Sequence, residues 1–172
     1  MLSKWISMLA IMALALTGCG KKANEKSSEK AAEKSMEMAI EKGSGGKAKV
    51  DISNGGISVK TEGKDKMEMT AGQGAKVPGD FPKDILVYKG ATVLSSVKTE
   101  GAFNVTLQTT DTTNLVSDTY KEAMKNEGWT EKGATVMGEM TMLQYNKDKR
   151  EAMVHITSDG GKTTILLMHM QK

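Results

Sequence analysis

Between residues 47 and 71, apolar and polar positions alternate with the period of a half-buried β-strand. Asn54-Gly55 lies in the middle of this stretch, and the dipeptide is typical of a two-residue hairpin turn. Such a turn places two apolar pairs opposite each other: Ile52 with Ile57, and Val50 with Val59. A looser turn around Gly63 adds Met67 and Met69 to the same side. The pattern therefore predicts a small β-meander, residues 47–75, with one apolar side.

After Pro78 the pattern predicts a larger unit that combines strands with one helix. Apolar positions at helical spacing indicate a helix over about 112–127, with Asp111 or Thr112 as its N-cap. Alternating patterns predict six strands, near residues 92–98, 102–109, 129–136, 140–146, 150–157 and 163–170. We therefore expect an α+β fold over residues 76–172, in which one main helix covers an antiparallel sheet and the β-meander precedes it.

The last two predicted strands divide their side chains between two faces. A turn at Gly160-Gly161 gives one face suited to a core, with Ala152, Val154, Ile156, Ile165 and Leu167. The other face holds Met153, His155, Leu166, Met168 and Met170. Met153 lies opposite Met168 in this register, so Met153, His155 and Met168 are expected to lie close together.

The first 18 residues have the organisation of a secretory signal peptide. Lys4 precedes a twelve-residue uncharged, mostly apolar run, Trp5 to Leu16, which is too short for a permanent membrane span. Leu16-Thr17-Gly18-Cys19 resembles the lipobox of bacterial lipoproteins. The resemblance implies recognition of the first three residues by a signal peptidase, diacylglycerol on the Cys19 thiol, and an N-acyl chain on the new amine. The alternative is an ordinary cleaved signal peptide with an unrelated cysteine.

Residues 19–46 are rich in Lys and Glu, which predicts a solvated tether with a helix over about 28–42. Gly20, not Asp, follows Cys19. By the lipoprotein resemblance, this favours anchoring in the outer membrane, on its periplasmic face, if the envelope has two membranes. Cys19 is the only cysteine, so its lipidation leaves none for a disulfide.

Composition and motifs argue against two classes of function. Of the 24 basic residues only Arg150 is arginine, and no basic block has interleaved aromatic residues, so we expect no nucleic-acid partner. The chain has no nucleophile elbow, phosphate loop, HExxH motif or paired-cysteine spacing. We therefore predict that the protein is not an enzyme and holds no cofactor.

The segment from Pro78 onward resembles a domain of uncharacterised bacterial envelope lipoproteins. The resemblance rests on the closing hairpin and on three motifs: Asp80-Phe81-Pro82-Lys83-Asp84, Tyr120-Lys121-Glu122-Ala123 and Gly128-Trp129. Those lipoproteins also carry a stretch similar to residues 48–74, but the resemblance brings no activity with it. The expected function is a lipid-anchored binding module, with an envelope protein, peptidoglycan or a small ligand as partner.

Methionine supplies a second hypothesis. Of the fourteen methionines, several form pairs two residues apart, and thioethers together with imidazole suit soft ions such as Cu(I) and Ag(I). The alternative function is therefore a periplasmic soft-metal binder that uses Met153, His155 and Met168. The simpler interpretation is that these methionines fill buried or half-buried faces, including a face covered by the β-meander. His169 falls on the core face and is expected to be a core or rim residue.

Overall fold

The structure, a computed structural model of the protein, describes residues 25–45, 47–63 and 66–171, with side chains from residue 30 onward. The elements there are α1 (Glu25–Gly43), β1 (Ala48–Ser53), β2 (Gly56–Thr61), β3 (Met67–Gly72), β4 (Thr92–Thr99), β5 (Ala102–Thr109), α2 (Thr113–Asn126), β6 (Thr130–Met137), β7 (Met140–Lys147), β8 (Arg150–Asp159) and β9 (Lys162–Gln171). The lipobox residues Leu16, Thr17, Gly18 and Cys19 lie outside the described residues.

All nine strands form one antiparallel sheet in the order β1-β2-β3-β4-β5-β9-β8-β7-β6. The predicted registers of the first and last hairpins are confirmed, with Ile52 opposite Ile57 and Met153 opposite Met168. Asn54-Gly55 forms the first turn with φ of 52° and 75°. Positive φ at both central residues is what a type I′ turn requires, so this dipeptide fixes the register.

The predicted fold class is wrong. Instead of an α+β domain with a sheet covered by one main helix, the structure is dominated by the sheet, and the β-meander is its first three strands. Glu68–Ala71 of β3 pair with Ser95–Lys98 of β4. This pairing joins the meander, edge to edge, to the other six strands of the sheet. The physical reason is that a strand edge carries unpaired backbone donors and acceptors, and β4 satisfies those of β3.

The core lies on one face of β5, β7, β8 and β9. Helix α2 packs on β6, β7 and β8, with Val116, Tyr120 and Met124 fully buried. The segment 77–91 between β3 and β4 covers the same face and adds three further buried side chains: Phe81, Ile85 and Tyr88. Two covering elements therefore share this face, and the sheet residues beneath them are inaccessible, for example Leu107 and Leu167.

Helix α1 packs beside the edge strand β1 and satisfies its outward-facing amides. Carboxylate oxygens of Glu41 and Glu37 accept hydrogen bonds from the amides of Val50 (3.3 Å) and Ile52 (2.6 Å). The hydroxyl of Ser44 accepts one from the amide of Ala48 at 3.1 Å. Alternate amides of an edge strand point outward, and helix residues three or four apart share a face. Glu37, Glu41 and Ser44 can therefore each accept from one outward-facing amide of β1.

Candidate functional site

The face of the sheet opposite α2 is defined here as the open face. On β7, β8 and β9 it carries half-buried side chains: Met140, Met142, Met153, His155, Leu166 and Met168. Their neighbours along each strand point the other way and are buried in the core. Helix α2 and the segment 77–91 both lie on the core side, so neither of them covers these methionines.

The β-meander extends the open face and does not cover it. The register gives a transverse row of side chains that crosses eight strands: Val50, Val59, Met69, Val97, Asn104, Met168, Met153 and Gln144. Residues directly opposite on antiparallel strands share a face, so the apolar side of the meander and the Met/His side chains belong to the same face of the sheet. The interpretation in which the meander buries Met153 and Met168 is therefore wrong.

His155 lies among thioether side chains. Across the β7–β8 pair it is directly opposite Met142, and Met153 lies two residues before it on β8. Met168 is on the diagonal across the β8–β9 pair, next to Leu166, which is directly opposite His155. Opposite pairs have Cβ atoms about 5 Å apart and diagonal pairs about 7–8 Å, within reach of long side chains. The structure thus brings Met153, His155 and Met168 to one place, with Met142 as a fourth neighbour.

Nε2 of His155 is inaccessible to solvent and has no hydrogen-bond partner among the described residues. Buried polar atoms are usually hydrogen-bonded, so such an atom calls for an explanation. The neighbouring thioethers are weak hydrogen-bond acceptors but good ligands for soft metal ions. In the described part of the chain, no cluster of three or more His, Cys, Asp or Glu side chains could hold a metal ion.

Sequence reasoning missed Met142. The missing signal was the β7–β8 turn, which is the Asp148-Lys149 dipeptide between the paired residues Lys147 and Arg150. Asp148 has a φ of 53°, a left-handed conformation that Asp adopts more readily than most residues. Counting back from this turn places Met142 opposite His155, but Asp-Lys is a far weaker turn signal than Asn-Gly.

A shallow depression of about 410 Å³ lies beside this cluster on the open face. Methionine side chains line it together with polar ones: Met153, Met168, Met170, Asn104, Gln144 and Glu151. An apolar surface bordered by a few polar groups is the usual build of a binding site for a partner or ligand. The open face therefore offers a place for binding on a sheet whose other face is filled by the core.

A second polar cluster lies on the core side, around Asp84. The guanidinium of Arg150 donates two hydrogen bonds to the Asp84 carboxylate, at 2.9 and 2.7 Å, and Lys147 Nζ donates a third at 2.7 Å. The Arg150 and Lys147 cations hold the pKa of Asp84 well below its usual range. Trp129 Nε1 donates to the backbone oxygen of Asp84 at 2.8 Å. The cluster ties the segment 77–91 to α2 and to the β7–β8 turn.

His169 lies in the core and is 5% exposed, which confirms its predicted position. Its ring is 5.9 Å from that of Phe103 and 6.4 Å from that of Trp129, measured between centroids. Neither ring nitrogen has a hydrogen-bond partner among the described residues. Burial lowers the pKa of His169, and the nearby positive charge of Arg150 lowers it further, so the neutral imidazole is favoured.

Residues 91–162 match a family model described as START domain-like. The match covers about two fifths of the chain and includes β4 to β8 and α2, with Met142, Met153 and His155. This stretch is therefore similar to a small binding domain. Searches of curated proteins and of solved structures found no match. Neither helix within the described ranges is long and apolar enough to cross a membrane.

Proposed function

We propose that this protein is a lipid-anchored, non-enzymatic binding module of the bacterial cell envelope. The observation that carries the binding role is the open face, where an apolar, methionine-lined depression borders polar side chains. The START domain-like match over residues 91–162 supports the same role, since it is a match to a binding domain. The partner is an envelope protein, peptidoglycan or a small ligand.

The anchoring rests on the lipobox resemblance of Leu16-Thr17-Gly18-Cys19. One acyl chain holds a protein only weakly on a membrane, whereas two or more chains hold it stably, at about 0.8 kcal/mol per buried methylene. A diacylglycerol with an N-acyl chain on Cys19 is therefore sufficient as an anchor. In an envelope with two membranes, the expected location is the periplasmic face of the outer membrane.

The test is photo-cross-linking in cells, with the cross-linking residue at Met170 or at Leu115. Both side chains are exposed, at 52% and 53%, but Met170 lies on the open face and Leu115 on α2, on the other side of the sheet. We expect a reproducible partner from position 170 and none from position 115. Equal capture from both positions, or none from position 170, would contradict binding through the open face.

The same cells test the anchor. Cys19→Ser removes the thiol that receives the lipid, so we expect loss of palmitate labelling and release from the membrane fraction. Ser27→Ala, beyond the cleavage site, serves as the control and should remain labelled and membrane-bound. A Cys19→Ser protein that fractionates as the parent does would overturn the anchoring part of the proposal while leaving the cross-linking result intact.

A further inference from the structure

We propose that Met142, Met153, His155 and Met168 form a binding site for one soft monovalent metal ion, Cu(I) or Ag(I). The site lies on the face that the proposed function uses, and it names a ligand class for that face. It does not depend on lipid attachment, because all four residues are far from Cys19 in the chain and belong to the sheet.

The first argument is the chemistry of the four side chains. Three thioether sulfurs and one imidazole nitrogen are soft or borderline ligands, which favour Cu(I) over hard cations such as Mg²⁺ and Ca²⁺. The latter prefer carboxylate and carbonyl oxygens, and none of the four side chains supplies one. The composition of the cluster therefore selects the class of ion before any geometry is considered.

The second argument is the register, which places three thioethers around one imidazole. Met142 on β7 is directly opposite His155 on β8. Two residues along the strands, on the same face, Met153 on β8 is directly opposite Met168 on β9. Methionine has three rotatable side-chain bonds, so its sulfur can adjust to a bound ion without movement of the strand. The rigid sheet fixes the four Cα positions, and the flexible thioethers complete the coordination.

The third argument is the buried Nε2 of His155, which has no hydrogen-bond partner among the described residues. A neutral imidazole with its proton on Nδ1 leaves the Nε2 lone pair available as a ligand. An ion bound at Nε2 would satisfy this lone pair, whereas the surrounding thioether sulfurs cannot hydrogen-bond to it because they are acceptors only. Met67 and Met69 lie on the same face but not beside a histidine, so they serve as internal controls.

The test is a titration of the full-length Cys19→Ser chain in detergent with silver nitrate, in a chloride-free buffer, with ¹³C-labelled methionine methyl groups. The serine removes the only thiol, which would itself bind Ag(I). We expect the methyl resonances of Met142, Met153 and Met168 and the ring resonances of His155 to shift together and to saturate at one equivalent. The resonances of Met67 and Met69 should stay in place over the same range.

The matched variants are Met142→Leu/Met153→Leu/Met168→Leu and the control Met67→Leu/Met69→Leu. Leucine keeps the volume of methionine and removes the sulfur, so the sheet is retained. The triple variant should bind Ag(I) at least tenfold more weakly, and the control should bind as the parent does. Equal shifts at all methionines, no shift at His155, or equal affinity in the triple variant would overturn the site. The methyl titration of the parent decides the question even if the triple variant fails to fold.

Discussion

At the scale of single residues, Asp84 connects parts of the chain that are 63 and 66 residues apart. Its carboxylate binds Arg150 and Lys147, and its backbone oxygen accepts from Trp129. The guanidinium of Arg150 also lies 4.9 Å from the Trp129 ring centroid, in a cation–π contact. Two motifs of the lipoprotein resemblance, the one ending at Asp84 and Gly128-Trp129, therefore meet in space. Together they hold the covering segment 77–91 on the sheet.

Asp84→Asn should destabilise the protein by about 2 kcal/mol at pH 7, the scale of hydrogen bonds to charged groups in a half-buried site. The native pKa of Asp84 is lowered, so the unfolded state binds more protons below about pH 4, the ordinary Asp pKa. The contribution of Asp84 is therefore present above pH 4 and is lost as the pH falls toward the native pKa. Urea unfolding at pH 7 and pH 3 measures both effects.

The matched control for this variant is Asp80→Asn. Asp80 pairs with Lys98 at 2.6 Å, but its side chain is 57% exposed, so its removal should change stability little. If Asp84→Asn unfolds at the same urea concentration as the parent at pH 7, the Asp84 cluster does not hold the segment 77–91 in place.

His169 predicts a different pH dependence. Its native pKa is lowered by burial, whereas an unfolded histidine has a pKa near 6.5. Below that pH the unfolded state binds a proton that the native state does not, so the free energy of unfolding should fall from pH 7 to pH 5. The slope should reach up to about 1.4 kcal/mol per pH unit.

His169→Phe should flatten this slope, because phenylalanine fits beside Phe103 and Trp129 and cannot titrate. The measurement is urea unfolding at several values between pH 7 and pH 5. Asp80→Asn is the control, because Asp80 titrates below pH 4 and is not among the charges that shift the pKa of His169, so its slope in this window should remain. An unchanged slope in His169→Phe would mean that another group carries the pH dependence.

At the scale of elements, α1 shows how an exposed sheet edge is protected. Its large apolar side chains Met36 and Met38 are 59% and 57% exposed, and the docked face is formed by Glu37, Glu41 and Ser44. Edge-strand amides need acceptors more than apolar contacts, and carboxylates are strong acceptors. The hydrogen-bonding needs of the strand therefore decide which face of the helix packs.

Glu37→Ala/Glu41→Ala should expose the amides of Val50 and Ile52. A hydrogen bond to a charged group contributes about 1.5–3 kcal/mol, so hydrogen exchange at these two amides should accelerate roughly tenfold or more. Amides in β8 and β9 should keep their protection. Lys34→Ala, at an exposed position of the same helix, is the control; faster exchange there too would mean that the carboxylates are not specific acceptors.

At the scale of the whole molecule, local signals predicted the hairpins, but not how they join. Asn54-Gly55 fixed one register and Gly160-Gly161 another, because turn residues and alternation act over short distances. Strands β3 and β4 pair although a long segment separates them in the chain, and no local sequence pattern predicts which strand edges pair. The same limit explains the site: Met153 and Met168 lie in one predicted hairpin, whereas Met142 depends on a weak turn.

The placement of α1 also limits how far a lipid on Cys19 would lie from the sheet. Glu37 lies beside Ile52, and the part of α1 that precedes Glu37 is about 18 Å long. Helix α1 therefore begins on the order of 10 Å past the first hairpin turn. Only residues 20–24 separate Cys19 from Glu25, so the chain between these two residues spans at most about 22 Å when extended. With Cys19 lipidated, α1 and this link together would let the first hairpin turn stand at most about 32 Å from the lipid attachment point. Adding one helical turn to the start of α1 would raise this limit by about 5 Å.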